Sequence, residues 1–243
     1  MKAVAISIQK GGTGKTSISG NIAHLTTKKT LLIDADPQGS LSSWLLKEPP
    51  AHEFTDVLKG KVTLQAALVQ LKEALWLLPT FGLNGGLRDY AGENLEKEPF
   101  IFQDLRTEAR KCGIELLIYD LGPAAGRLER CVLLGCDEVV TPITPEYFSI
   151  DGIELFKTFL EEVRKYRGSV RHRKIVLNGI NRSFRRHREY QAAVKDMAYE
   201  VFEIVQDAKL PEAQVLHLPL IDYAPKARSL QGLRRIAEAV EVD

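Results

Sequence analysis

The sequence predicts a doubly wound α/β fold. It should be a mostly parallel sheet of about seven strands with helices on both faces, formed as one unit over residues 1–243. Three observations carry this. Short, largely apolar runs such as 30–35 and 114–119 read as strands buried on both faces, as parallel sheets require. Between them lie stretches whose apolar residues recur at helical spacing. The first strand runs through a glycine-rich turn straight into a helix, residues 8–17 reading IQKGGTGKTS, which is the strand–turn–helix context of a phosphate-binding loop.

The elements follow in order. Val4, Ile6 and Ile8 mark the first strand, and Ile18, Ile22 and Leu25 give the next helix one apolar face. In the turn between them, Gly11, Gly12 and Gly14 open backbone conformations that let successive N–H groups, Thr13 included, converge on phosphate oxygens. The helix N-terminus adds unsatisfied donors and partial positive charge. Lys15 is placed for the β- and γ-phosphates, Thr16 for Mg²⁺, and Ser17 for the α-phosphate. Strand 30–35 ends in Asp34-Ala35-Asp36-Pro37-Gln38-Gly39, which sets two carboxylates at the C-terminal sheet edge where open α/β sheets bind ligands. A helix at 41–46 follows.

Residues 47–74 read as connecting helices broken at Pro49-Pro50 and Lys59-Gly60. Leu75 to Leu78 is a short strand closed by Pro79, and Gly82 to Gly86 is loop. A helix over 100–111 ends in basic residues and Gly113. Strand 114–119 then meets Asp120, the Walker B arrangement in which a carboxylate holds Mg²⁺. Gly122 frees the backbone to approach the γ-phosphate. Further strands are expected at 138–142, 174–177 and 215–218. The expected helices are 150–166, one opening at Arg185 with a stripe of Tyr190, Val194, Met197, Val201 and Val205, and 229–240.

Composition is that of an ordinary soluble protein, 44% apolar and 27% charged with net charge +1, and no apolar run is long enough to span a membrane. The strand begins too early for a signal peptide, so a cytoplasmic location is expected. Cys112, Cys131 and Cys136 lack metal or disulfide spacing and are expected as small buried hydrophobes. Charge is unevenly placed, with ten Lys/Arg and no Asp/Glu between Arg164 and Arg188. Arg164, Lys165 and Arg167 suit a helix C-terminus. Arg185, Arg186 and Arg188 open a helix at its positive end, where they repel the dipole and one another. A polyanion such as a nucleic-acid backbone would relieve that, and a solvated face is the alternative.

The usual Walker pattern wants glycine where this chain has Gln9, and Lys10 follows it. Lys-Gly-Gly-x-Gly-Lys-Thr resembles the deviant Walker A motif of the ParA/MinD ATPases. Asp34–Gly39 is similar to the switch I motif of the ParA type, Asp120–Pro123 to its Asp-x-x-Pro signature, and 142–145 and 219–225 to later loops. The resemblance implies ATP and ADP as ligands with Mg²⁺. It implies an ATP-dependent homodimer in which Lys10 reaches the phosphates of the other copy and acts with Lys15. Asp36 would orient the attacking water, and Asp34 would lie in the outer shell of the metal held by Thr16 and Asp120. Asn178 and Pro219 would contact adenine. Slow ATP hydrolysis, plasmid or chromosome segregation, a ParB-like stimulating partner and non-specific DNA binding through Arg182, Arg185, Arg186 and Arg188 are implied as well, with a nucleoid- or plasmid-associated location. Other cargoes, a MinD-like membrane cycle and a metabolic enzyme on the same fold are the competitors. The acidic end of the chain speaks against membrane docking.

Overall fold

The computed structural model describes residues 1–146, 149–166 and 169–242, so Arg167, Gly168 and Asp243 of the sequence reading lie outside it. The chain runs β1 (Lys2–Ile6), α1 (Lys15–Leu25), β2 (Thr30–Ala35), α2 (Ser40–Leu45), α3 (Phe54–Leu58), α4 (Leu64–Ala67), β3 (Val69–Lys72) and β4 (Leu75–Leu78). It continues with α5 (Leu87–Glu93), α6 (Ile101–Lys111), β5 (Leu116–Leu121), α7 (Arg127–Leu134), β6 (Glu138–Ile143) and α8 (Ser149–Lys165). The last third holds β7 (Arg171–Ile180), α9 (Arg185–Lys195), β8 (Glu200–Val205), α10 (Lys209–Val215), α11 (Leu220–Tyr223) and α12 (Leu230–Glu241).

Among the described residues, eight strands form one sheet in the order β3-β4-β2-β5-β1-β6-β7-β8. Every pairing is parallel except β3 with β4. The central strands carry apolar residues on both faces, and successive residues feed two cores. Ala3, Ala5, Leu31, Ile33, Leu117 and Tyr119 pack with Phe102 and Phe156 on one side. Val4, Ile6, Leu32 and Ile118 pack with Ile18, Ile22, Leu233 and Ile236 on the other. Period-two alternation with both phases apolar is what a sheet covered on each face demands. It also aligns the C-terminal ends of β1, β2 and β5, where Asp34 lies in register with Asp120.

Several expectations change. The helix opening at Arg185 stops at Lys195, and Val201 and Val205 belong to edge strand β8, paired to β7. Residues 215–218 are no strand: α10 ends at Val215, and His217 turns the chain at φ 56°. The 47–74 connection contains the antiparallel edge strand β3 as well as two short helices. Cys131 and Cys136 are buried as expected, whereas Cys112 is exposed.

At the opposite edge of the sheet from the carboxylates, Glu138 bridges Lys2 (3.0 Å) and Lys174 (2.6 Å), all three side chains almost wholly buried. The two cations hold its carboxyl below the usual range against the effect of burial. Glu138→Ala would leave two buried ammonium groups facing each other, with only the exposed Glu200 carboxylate 3.9 Å from Lys174 as an anion nearby. It is expected to destabilise the fold by about 3–5 kcal/mol, measured by denaturant unfolding.

Candidate functional site

The turn after β1 has the backbone that its glycines imply: Gly12 (φ 73°) and Gly14 (φ 90°) are left-handed, and Gly14 caps α1. Gly14 is needed for a second reason, because a Cβ there would fall 2.2 Å from Asn178 Nδ2. That nitrogen donates to Thr13 O at 2.9 Å, so Asn178, near the end of β7, braces the loop from beneath. Lys15 is 7% exposed and donates to the carbonyl of Lys10 at 2.8 Å, which places its ammonium inside the cradle. Burial lowers its pKa, while Asp120, Asp36 and Glu129 oppose the shift.

The carboxylates differ in what they already hold. Asp34 is fully buried and accepts both the N–H (2.8 Å) and the hydroxyl (2.7 Å) of Ser42 on Oδ2. It therefore anchors the start of α2, and burial next to Asp120 pushes its carboxyl up to about 8. Asp120 is equally buried and accepts the Ser19 hydroxyl on Oδ1 at 2.9 Å. Burial pushes it up to about 7, helped by the charge of Asp36, although the Thr16 and Ser19 hydroxyls beside it favour the anion. Its Oδ2 has no hydrogen-bond partner. A buried, unsatisfied carboxylate oxygen beside a helix-N-terminal threonine fits Mg²⁺, a hard cation taken by one or two carboxylates together with phosphate oxygens and water.

Asp36 is half-buried, and its Oδ1 accepts the N–H of Gln38 at 2.9 Å. It stands directly over Gly122, where an added Cβ would lie 3.2 Å from that same oxygen. The first and second carboxylate turns thus meet closely, so that a side chain at residue 122 would push on the Asp36 carboxylate. Lys10 stands at the rim, its Nζ paired with Glu146 at 2.8 Å. The arrangement is a phosphate cradle, a candidate metal carboxylate and a candidate water-orienting carboxylate on one edge.

A family model described as an AAA domain matches residues 1–172. An uncharacterised protein of Borreliella burgdorferi, BBD21, is 38% identical over 99% of both chains. A virulence plasmid ParA family protein of Chlamydia psittaci is 31% identical over 67% of this chain and 64% of its own. The chain belongs to the ParA family of ATPases. Its fold is also that of a Cyanothece McdA variant solved as an ATP complex, with a TM-score of 0.82 and 19% identity, covering 99% of this chain and 96% of that one.

Within this ParA-family site some residues went unseen in the sequence. Ser19 lies one helical turn past Lys15 and reaches Asp120 from inside the core. Gln214 of α10 donates to the Ser17 hydroxyl at 2.8 Å, a link hidden while the residues just after it, 215–218, read as strand. Glu129 is buried, accepts the N–H of Gly126 at 2.9 Å, and is held above the usual carboxylate range by its burial. Pro219 is buried as the cap of α11, which Asn21 ties to α1 through the N–H of Leu220 (2.7 Å). A cleft of about 790 Å³ opens at the C-terminal ends of β7 and β8, lined by Asn181, Gln206, Asp207 and Pro211.

Arg182, Arg185, Arg186 and Arg188 are all exposed around the start of α9, which has no acid in its first turn. Their charges are better met than the sequence implies. Arg185 pairs with Glu189 (2.8 Å), Arg182 with Glu203 (3.4 Å), and Arg188 donates to the carbonyl of Arg182 (3.0 Å). Elsewhere in the basic run Arg164 caps the carbonyl of Val170, and Lys174 serves the buried pair with Glu138. The repulsion expected at the helix start is thus partly relieved inside the chain.

Proposed function

We propose that this protein is a Mg²⁺-dependent ATPase of the ParA type, formed by residues 1–243 as one domain, that dimerises over ATP and acts in plasmid or chromosome segregation. The observation that carries the reading is the convergence of Lys15, Thr16 and the unsatisfied oxygen of Asp120 on one glycine-built turn. The ATP bound by the McdA variant and the plasmid ParA relative support the nucleotide and the setting.

In this reading the N–H groups of residues 11–16 hold the phosphates, and Lys15 exchanges the Lys10 carbonyl for phosphate oxygens. Thr16 and Asp120 hold Mg²⁺, with Asp34 contributing charge from one strand away. Held there, Mg²⁺ would supply positive charge to offset that of the phosphates. Asp36, backed by Gly122, orients the attacking water. Lys10 leaves Glu146 for the phosphates of the second copy. The base lies between the ends of β7 and β8, with Asn178 and Pro219 as framework on either side. The arginines of α9 face DNA phosphates, and a ParB-like partner accelerates slow hydrolysis to ADP. No helix among the described residues is long and apolar enough to cross a membrane.

Sedimentation with ATP, ADP, ATP plus EDTA, or no nucleotide, with and without plasmid DNA, tests this. A dimer that retains DNA only with Mg-ATP is expected; a monomer under every condition refutes it. Replacing Arg185, Arg186 and Arg188 together by alanine is expected to weaken DNA retention. It should also flatten the dependence of log K on log salt by roughly 2–3, since each phosphate contact contributes about 0.9. An unchanged slope would assign the DNA contact to another surface.

A further inference from the structure

The turn that carries Asp36 is set against a second loop with no clearance. Gly39 is left-handed (φ 65°), and a Cβ there would fall 2.6 Å from Gly82 N, 2.7 Å from Gly82 Cα and 2.8 Å from Thr80 O. Gly82 is left-handed too (φ 67°), and its Cβ would fall 2.6 Å from Gln38 O. These are backbone atoms, so neither side can yield by turning a side chain. The 37–39 turn in turn fixes Asp36, whose carboxylate takes the N–H of Gln38 and whose carbonyl takes that of Gly39 (2.9 Å each).

Loop 80–86 is itself firmly held. Thr80 donates its hydroxyl to Asp34 O (2.7 Å) and its N–H to Ser42 Oγ (2.9 Å). Further along, the N–H groups of Phe81 (3.0 Å) and Gly86 (2.8 Å) both donate to the carboxylate of Glu53, which is 5% exposed and caps α3. A carboxylate can accept both bonds, and a glutamine in its place can accept only one of them. Gly85 lies so close that its Cβ would meet Glu53 Oε2 at 2.5 Å. These contacts fall on the Asp34–Gly39 turn, on Ser42 and on Glu53.

We infer that Glu53 and Gly82 are positioning residues for hydrolysis: Glu53 clamps loop 80–86, and Gly82 presses it against the 37–39 turn, fixing the carboxylate of Asp36 over Gly122. This rests on the role proposed above for Asp36, and it separates hydrolysis from nucleotide binding, because the contacts that set the clamp act on the turn carrying Asp36.

The test compares Gly82→Ala, Glu53→Gln, Gly60→Ala and Asp36→Ala under saturating Mg-ATP, with ATP affinity measured by calorimetry. Gly60 is the control, being left-handed (φ 66°) with nothing within 4 Å of an added Cβ. It carries the same backbone strain without touching the turn. Gly82→Ala is expected to lower kcat at least tenfold with ATP affinity within twofold of the parent. Glu53→Gln should lower kcat less, and Gly60→Ala should change neither. If Gly82→Ala does not fold, Glu53→Gln decides alone by the same split. Hydrolysis at the parent rate in Gly82→Ala and Glu53→Gln while Asp36→Ala is inactive overturns the clamp only. A parallel loss of ATP affinity also overturns it, and normal hydrolysis by Asp36→Ala removes it together with the role of Asp36.

Discussion

Lys15→Ala is expected to lower ATP affinity by about 10²–10⁴-fold. The ammonium would make charge-assisted bonds to two phosphate groups, each worth roughly 1.5–3 kcal/mol, and every ~1.4 kcal/mol is tenfold in affinity. The structure shows why no neighbour replaces it. Lys15 is 7% exposed and already points at the Lys10 carbonyl, with Asp120, Asp36 and Glu129 around it. Alanine leaves those three carboxylates without their shared cation in a site that must admit a triphosphate. Lys15→Gln keeps most of the volume and removes the charge, so it should lose affinity to a similar degree. Calorimetric titration with Mg-ATP measures both variants, and unchanged affinity would refute the assignment of the loop.

The glycine turn and lysine proposed to bind phosphate were legible in the sequence because their geometry is local. A left-handed glycine, a helix N-terminus and a lysine next to a threonine need only the adjoining backbone to be in place. Asp34 and Asp120 were legible for a related reason: apolar strands buried on both faces end at them, and parallel register then sets the two side by side. What escaped depends on distant partners. The i, i+3/i+4 spacing from Tyr190 to Val205 satisfies a helix, yet Val201, Phe202, Ile204 and Val205 are also residue types that suit a strand, and pairing with β7 decides for strand. Residues 215–218 look like a strand by apolar content, but Val215 and Leu216 are exposed and close a helix that carries Gln214 to Ser17. Glu53 is an ordinary polar residue in a connecting stretch until loop 80–86 folds onto it. Its signal lies in the glycines at 82, 85 and 86, whose spacing reads only as a loop.

Lys10→Ala is expected to separate binding from turnover. The structural feature that Lys15 uses at residue 10 is the backbone carbonyl, which alanine retains, so affinity of a single copy for ATP should stay within a few-fold of the parent. The side chain has a different partner. Its ion pair with Glu146 joins groups 27% and 63% exposed, and such pairs are worth only ~0–1 kcal/mol. A tether that weak is readily exchanged for a triphosphate presented by a second copy, where the interaction is charge-assisted and shielded from water. A cation supplied in this way is worth ~10³–10⁵ in rate in related phosphoryl-transfer enzymes, and the same loss is expected in kcat for Lys10→Ala. The proposed ATP-dependent dimer should weaken in parallel, read by sedimentation at several protein concentrations. A Lys10→Ala protein that dimerises with ATP and hydrolyses it at the parent rate would show that residue 10 is a loop lysine whose side chain takes no part in the reaction.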